Sequence, residues 1–310
     1  MRTLIFSVFI MAVSSLTAKE GLGPSFEKLK TRTLLVALYQ PDVKYLAKLK
    51  DKGKMDEIAA YELKMQKGNE AIRKSFSKFW NLTHSIRFVE FDSVKILTDK
   101  FPDKYVYMIV DDGTRNATAK GSNQVYFSIT YQVCKLFMPD PKEDRVIAQC
   151  RLGNNPSLGD YIYAIYRIND LARKVAAKPE MRQTDVYGIG YDESETEGSQ
   201  LKDLTLIVRK KDCEEDINLE KVKKQYPYSF KVVSDEEWDN AMYDQRSDVA
   251  CAVVVLATVT TIAEGGGASM GSILRFQNAV NAKTGHTVCY AMGTDLISPK
   301  VLGQFHKFIK

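Results

Sequence analysis

The segment AEGGGASMGS, residues 263–272, has the composition of a phosphate-binding loop: Gly265, Gly266, Gly267 and Gly271 lie among small residues. Such a loop needs a strand before it and a helix after it, so that the helix amino terminus faces the anion. An apolar run, ACAVVVLATV, does precede it, but the following SILRFQNAV alternates as a strand does, and no GK[ST] is present. The segment therefore reads as a hairpin connection. Asp111-Asp112, at the end of another apolar run, could bind a cation but reads as the start of a hairpin loop. Cys213, Glu214, Glu215 and Asp216 are ligand types, yet adjacent positions at a helix start point in different directions. Their charge suits the helix dipole instead. Three histidines (84, 286 and 306) are too few and too scattered for a metal centre, and His286 reads as a strand-edge residue. Five cysteines (134, 150, 213, 251 and 289) form no CxxC and no metal-ligand spacing. Four of them lie in strand-like runs as small hydrophobes. Their odd number leaves at least one unpaired, whatever bridges form. There is no GxSxG and no HExxH. Two sequons, at Asn81 and Asn116, matter only in a eukaryotic secretory route. The expectation is no catalytic, cofactor-binding or metal-binding residue, and no cofactor.

The elements that would position any site follow one plan twice. Thr33 to Leu38 is a strand, followed by helices at Val43 to Leu49 and Met55 to Trp80. In the longer one Ile58, Tyr61, Met65, Ile72, Phe76 and Phe79 form one helical stripe. Strands follow at Ile86 to Phe91 and, after a short helix capped by Asp92, at Tyr105 to Val110. A polar loop, DDGTRNATAKGSN, leads to strands at Gln124 to Val133 and Val146 to Cys150. In the second half, strands are expected at Leu204 to Val208, Tyr228 to Val233, Ala250 to Val259, Ser272 to Val280 and His286 to Tyr290. Helices fall at Leu219 to Lys224 and, behind a capping box at Ser234 to Glu237, up to Tyr243. Both halves read β-α-β-α-β-loop-β-turn-β, the mark of a duplication. The fold class is α/β (α+β), two similar domains with mixed sheets and helices packed on them. The domains are 19–155 and 156–310. The second begins with a helix over 158–177, capped by Ser157 and Asp160, that takes the packing place the long helix has in the first. An acidic, polar excursion covers 182–200.

The 310 residues are 45% hydrophobic and 27% charged, with mean hydropathy −0.26, enough apolar material for two cores. Met1-Arg2, the apolar run TLIFSVFIMAV and the small residues up to Ala18 form a signal-peptide pattern, too short for a permanent membrane helix. The expectation is a signal peptide over 1–18 and a periplasmic or secreted chain with no transmembrane segment once mature. Formal net charge is +5, with +7 over residues 19–155 and −3 over 156–310. A basic half could meet nucleic acid, but export removes the chain from most of it. The charge reads as a solvated helix face, and no nucleic-acid partner is expected.

FKVVSDEEWDNAM, a buried strand, and a strand pair whose turn is Asn281-Ala282-Lys283-Thr284-Gly285 together resemble the small α/β domain at the amino terminus of TolB and in CsgG. That turn is similar to a D-x-x-T-G turn, with Asn in place of Asp. The likeness covers about 204–292, and 33–150 more loosely. The whole chain, through YPYSFKVVSDEEW, also resembles secreted Bacteroidetes proteins of uncharacterised role. The resemblance implies a non-catalytic envelope module and carries over no catalytic residue. The expected function is an exported binding or scaffold protein with an envelope or extracellular protein as partner. The alternative is an exported enzyme whose site assembles between the halves.

Overall fold

The computed structural model describes residues 21–118, 125–153, 155–182, 197–261 and 270–309. The expected signal peptide, most of the acidic excursion and the core of the glycine-rich segment lie outside them. The first half contains α1 (Gly23–Leu29), β1 (Thr33–Leu38), α2 (Val43–Asp51), α3 (Met55–Phe79), β2 (Ser85–Glu90), α4 (Phe91–Lys100), β3 (Tyr105–Thr118), β4 (Val125–Met138) and β5 (Arg145–Leu152). After α5 (Leu158–Ala177) the second half contains β6 (Thr205–Arg209), α6 (Leu219–Gln225), β7 (Phe230–Val233), α7 (Asp235–Tyr243), β8 (Val249–Thr261), β9 (Met270–Asn281), β10 (Thr287–Gly293) and α8 (Pro299–His306).

The protein is a mixed α/β structure of two domains, each with a five-stranded mixed sheet. The first sheet runs β2-β1-β3-β4-β5 and the second β7-β6-β8-β9-β10. In each, the first three strands pair in parallel and the last three antiparallel. The sheets join where β4 and β8 pair antiparallel, from Phe127 opposite Thr261 to Thr130 opposite Thr258.

The polar run after Val110 is not all loop. β3 continues through Asp111-Asp112 to Thr118, because each residue finds a backbone partner in β4, down to Thr118 opposite Val125. Ladder hydrogen bonding outweighs polar composition there. The Asp92 cap is also displaced. α4 begins at Phe91 with Glu90 in the cap position, and Asp92 lies in its first turn.

Crossovers from first to second strand and from second to third run in opposite directions across each sheet. Being right-handed, as such connections are, they place successive helices on opposite faces. Leu34 and Val36 of β1 join Ile72 and Phe76 of α3 in one core, whereas Leu35 and Ala37 join Val94 of α4 in another. In the second domain Leu206, Val208 and Val254 pack with Val222 of α6 and with Val301, Leu302 and Phe305 of α8. Ile207, Cys251 and Val253 face Trp238 and Met242 of α7, within the same core that holds α3.

α5 fills the middle of that shared core. It packs along α3, α7 and β5, and Tyr161, Ile162, Ile165 and Ile168 are all buried. A helix apolar over most of its circumference must be covered on several sides. It does not take the long helix's place in the second domain. α6 holds that place in the strand order, and α5 lies against α3 itself, as α8 lies against α6.

Candidate functional site

Among the described residues, the largest concentration of buried charge forms where the start of α5 meets β6 and α7. Arg209, the last residue of β6, is 2% exposed and Asp160, in the first turn of α5, is 1% exposed. The Arg209 guanidinium donates from Nε to Asp212 at 2.6 Å and from Nη1 to Asp160 at 2.8 Å. Its face lies 4.2 Å from the Trp238 ring centroid. Asp160 also accepts the Ser157 amide at 2.9 Å, closing the cap of α5. Asp239 of α7 accepts the Ser157 hydroxyl at 2.6 Å and the Gly159 amide at 2.9 Å.

Local sequence makes this junction possible. A Cβ on Gly159 would stand 2.3 Å from the Trp238 ring, so only glycine lets α5 approach α7 here. Ser234 caps α7 through the Glu237 amide at 3.1 Å. The second half of the expected capping box is absent: the Glu237 carboxylate takes Lys231 at 2.6 Å instead.

Burial pushes the Asp239 and Asp212 carboxyls above the ordinary Asp value, and their hydrogen bonds and Arg209 only partly offset it. Burial pulls the Arg209 value down, but Asp160 and Asp212 more than compensate and hold it above the usual value. The guanidinium therefore stays charged and engaged with two carboxylates. Such an arrangement joins three elements, although Asp160 Oδ1 and Trp238 Nε1 are buried there without a hydrogen-bond partner among the described residues.

A second polar group surrounds His286. Arg173 of α5 donates to His286 Nε2 at 2.8 Å, and His286 Nδ1 lies 3.5 Å from Glu197. Asp170 pairs with Arg173 at 2.9 Å and Lys174 at 2.8 Å. His286 keeps its place after the turn glycine, but with charged neighbours that its position in sequence does not suggest. In the turn itself Asn281 Oδ1 accepts the amides of Lys283 and Thr284 at 3.0 and 3.3 Å. Gly285 has φ +72° and lies against the Tyr166 ring.

The other residue types singled out in the sequence stay apart. All five cysteines are free and buried. Burial pushes the thiols of Cys150, Cys213 and Cys289 up to about 12, and those of Cys134 and Cys251 also upward, so none is poised as a thiolate nucleophile. Cys213 bridges to Ile297 outside any helix. Residues 214–216 precede α6, whose cap is Asn218 and whose first-turn acid is Glu220, so they do not meet its dipole as expected. Asp111 pairs with Lys135 at 3.1 Å. No group of three or more metal-ligand side chains occurs among the described residues. The strand following the glycine-rich segment is β9, paired with β8 from Thr261 opposite Met270 onward, so the segment links a hairpin.

An open groove of about 460 Å³ lies between α6 and α8 on the far side of the second sheet. Lys221 and Lys224 line it from α6, Lys300 and Lys307 from α8 and the residue after it, with Gln225 and Gln304 between them. Sequence reasoning missed it because it left α8 unassigned. The signal was present: Ser298 caps the helix at the Val301 amide, Pro299 occupies its first position, and Val301, Leu302 and Phe305 share a buried face.

No protein-family model, no curated protein and no solved structure matches the chain. No helix of the described residues is long and apolar enough to cross a membrane.

Proposed function

We propose that this is an exported, non-catalytic envelope protein that serves as a binding or scaffold module. The observation that carries this reading is the engagement of the buried Arg209 guanidinium by two carboxylates. Asp160 and Asp212 hold the guanidinium, and Asp239 holds Ser157 and Gly159. The buried charge thereby fastens α5 to β6 and α7. The export part rests on the residue pattern of 1–18, and the envelope module on the resemblance of 204–292 to the TolB and CsgG domains. The partner is proposed to be an envelope or extracellular protein.

A rival reading draws on Asp239, which is only partly buried, has a raised carboxyl pKa and hydrogen-bonds the Ser157 hydroxyl at 2.6 Å. That pair would be the natural general base and nucleophile of an exported hydrolase with a site between the halves. The two readings separate on a single comparison. Mature protein cross-linked in envelope preparations should retain the same discrete partner as its Asp239→Asn variant. The reading is overturned by a hydrolytic activity that Asp239→Asn and Ser157→Ala abolish while unfolding temperature is unchanged. Intact mass of the envelope-derived chain should place its amino terminus within a few residues of Lys19.

A further inference from the structure

We propose that the groove between α6 and α8 is a binding site for a ligand carrying two or more phosphate groups. This goes beyond the envelope reading and does not depend on it.

The domain that carries the groove is acidic on average, at −3 over residues 156–310, yet four exposed lysines converge on this one concavity. Lys221 and Lys224 are one helical turn apart on α6, so both project from one wall. Lys300 and Lys307 stand at the two ends of the opposite wall. Lys300 pairs with exposed Asp295 at 3.0 Å, and Glu220 pairs with Lys223, which does not line the groove. Lys221, Lys224 and Lys307 have no carboxylate partner among the described residues. Like charges gathered this way repel one another and gain most from an anion that bridges the two walls.

The chemistry of lysine narrows the ligand. An ammonium is a compact point charge with three donors and no planar fork, which suits phosphate oxygens better than bidentate carboxylate recognition. A volume of about 460 Å³ fits a small-molecule headgroup. A single carboxylate would leave most of the four charges uncompensated, whereas two linked phosphates could reach both walls. Gln225 and Gln304 add neutral donors between them. The walls are firm. α6 is capped by Asn218 and α8 by Ser298. His306 Nδ1 lies 2.8 Å from the Gln225 carbonyl and fixes the two helices to each other.

The position within the fold explains why this layer is available. The corresponding helix pair on the other side of the molecule, α3 with α5, lies inside the shared core. The α6–α8 pair faces outward, with its apolar side on the second sheet and its lysines to solvent.

The test is calorimetric titration of the full mature chain with inorganic pyrophosphate at low ionic strength. Binding is expected, and it should weaken by tenfold or more in Lys224→Glu/Lys307→Glu and on raising salt, because screening shortens the reach of exposed charges. Lys48→Glu/Lys50→Glu, on the last turn of α2, should bind as the parent does. All four lysines are exposed, and unchanged unfolding temperatures will show that the variants fold. Sedimentation with vesicles of phosphatidylglycerol and phosphatidylcholine in equal parts identifies the source. Groove-dependent vesicle binding that pyrophosphate displaces assigns a lipid headgroup, and pyrophosphate binding without vesicle binding assigns a soluble phosphate compound. Absence of pyrophosphate binding at low salt overturns the proposal, and so does affinity unchanged in the groove variant.

Discussion

The two domains share a strand order and a set of strand directions, and they differ in which face they bury together. In the first domain the inner face is covered by α3, the longer of the two helices between its first and second strands. In the second domain it is covered by α7, the helix between the second and third. One unit is thus used twice with opposite sides turned inward. The strands permit this because both faces are apolar: Leu34 and Leu35 of β1 are both buried, as are Leu206 and Ile207 of β6. The helices decide the orientation. α3 has 25 residues and brings Ile72, Phe76 and Phe79 to the centre, whereas α6 has seven and buries only Val222. A short, lysine-rich helix suits the outside, and its partner α8 completes a solvent-facing layer there.

Breaking the outer core of the second domain should have the largest effect. Val254 is 2% exposed among α6- and α8-facing residues, and Val254→Asp places an unpaired charge there. The variant should lack a cooperative urea transition. A transition like the parent's would show that this face is not a core.

Arg209→Ala should come next, because it leaves Asp160 and Asp212 buried without their cation. The expected loss is about 3–5 kcal/mol by urea denaturation. A loss under about 1 kcal/mol, the range of exposed pairs, would mean that the cluster does not fasten α5 to β6 and α7.

Gly285→Ala tests the contact between the second domain's turn and α5. Its φ of +72° and a Cβ position 2.2 Å from the Tyr166 ring oppose any side chain. A destabilisation of about 1–3 kcal/mol is expected, and Tyr166→Ala in the same chain should relieve part of it. Additive effects of the two substitutions would show that they do not meet.

Asp239→Asn should have the smallest effect and the most telling pH dependence. The amide oxygen can still accept from Ser157 and Gly159. Asp239 has a folded pKa raised above its ordinary 3.8 by burial. The folded state therefore binds its proton more tightly than the unfolded state does. Stability from this group is present at low pH and is lost as pH rises from about 3.8 through the raised folded value. The stability of the variant relative to the parent should then increase across that window. A difference that is flat, or that shrinks as pH rises, would remove the burial argument.

Most strands and the long helices were legible because their periodicity is local. Thr33 to Leu38, Leu158 to Ala177 and Asp235 to Tyr243 coincide with their elements. The extension of β3 through DDGTRNAT was not, since nothing in that polar run announces a partner strand. Neither was the inward turn of opposite faces, which depends on helices that compete for one space. The Ser157–Asp160 cap was readable from spacing, but its link to Arg209, 49 residues away, and to Asp239 required the fold. The groove lay within reach through the Ser298-Pro299 helix start, which signals α8 and hence the approach of Lys300 and Lys307 to α6.

The central claim is that the two domains, though copies of one plan, fold around a core that both supply. Scanning calorimetry of residues 19–310 tests it most directly. A single endotherm is expected, with calorimetric and van't Hoff enthalpies equal, and Arg209→Ala should lower it as a whole. Two resolved transitions, of which Arg209→Ala moves only one, would contradict the shared core and make the domains independent neighbours.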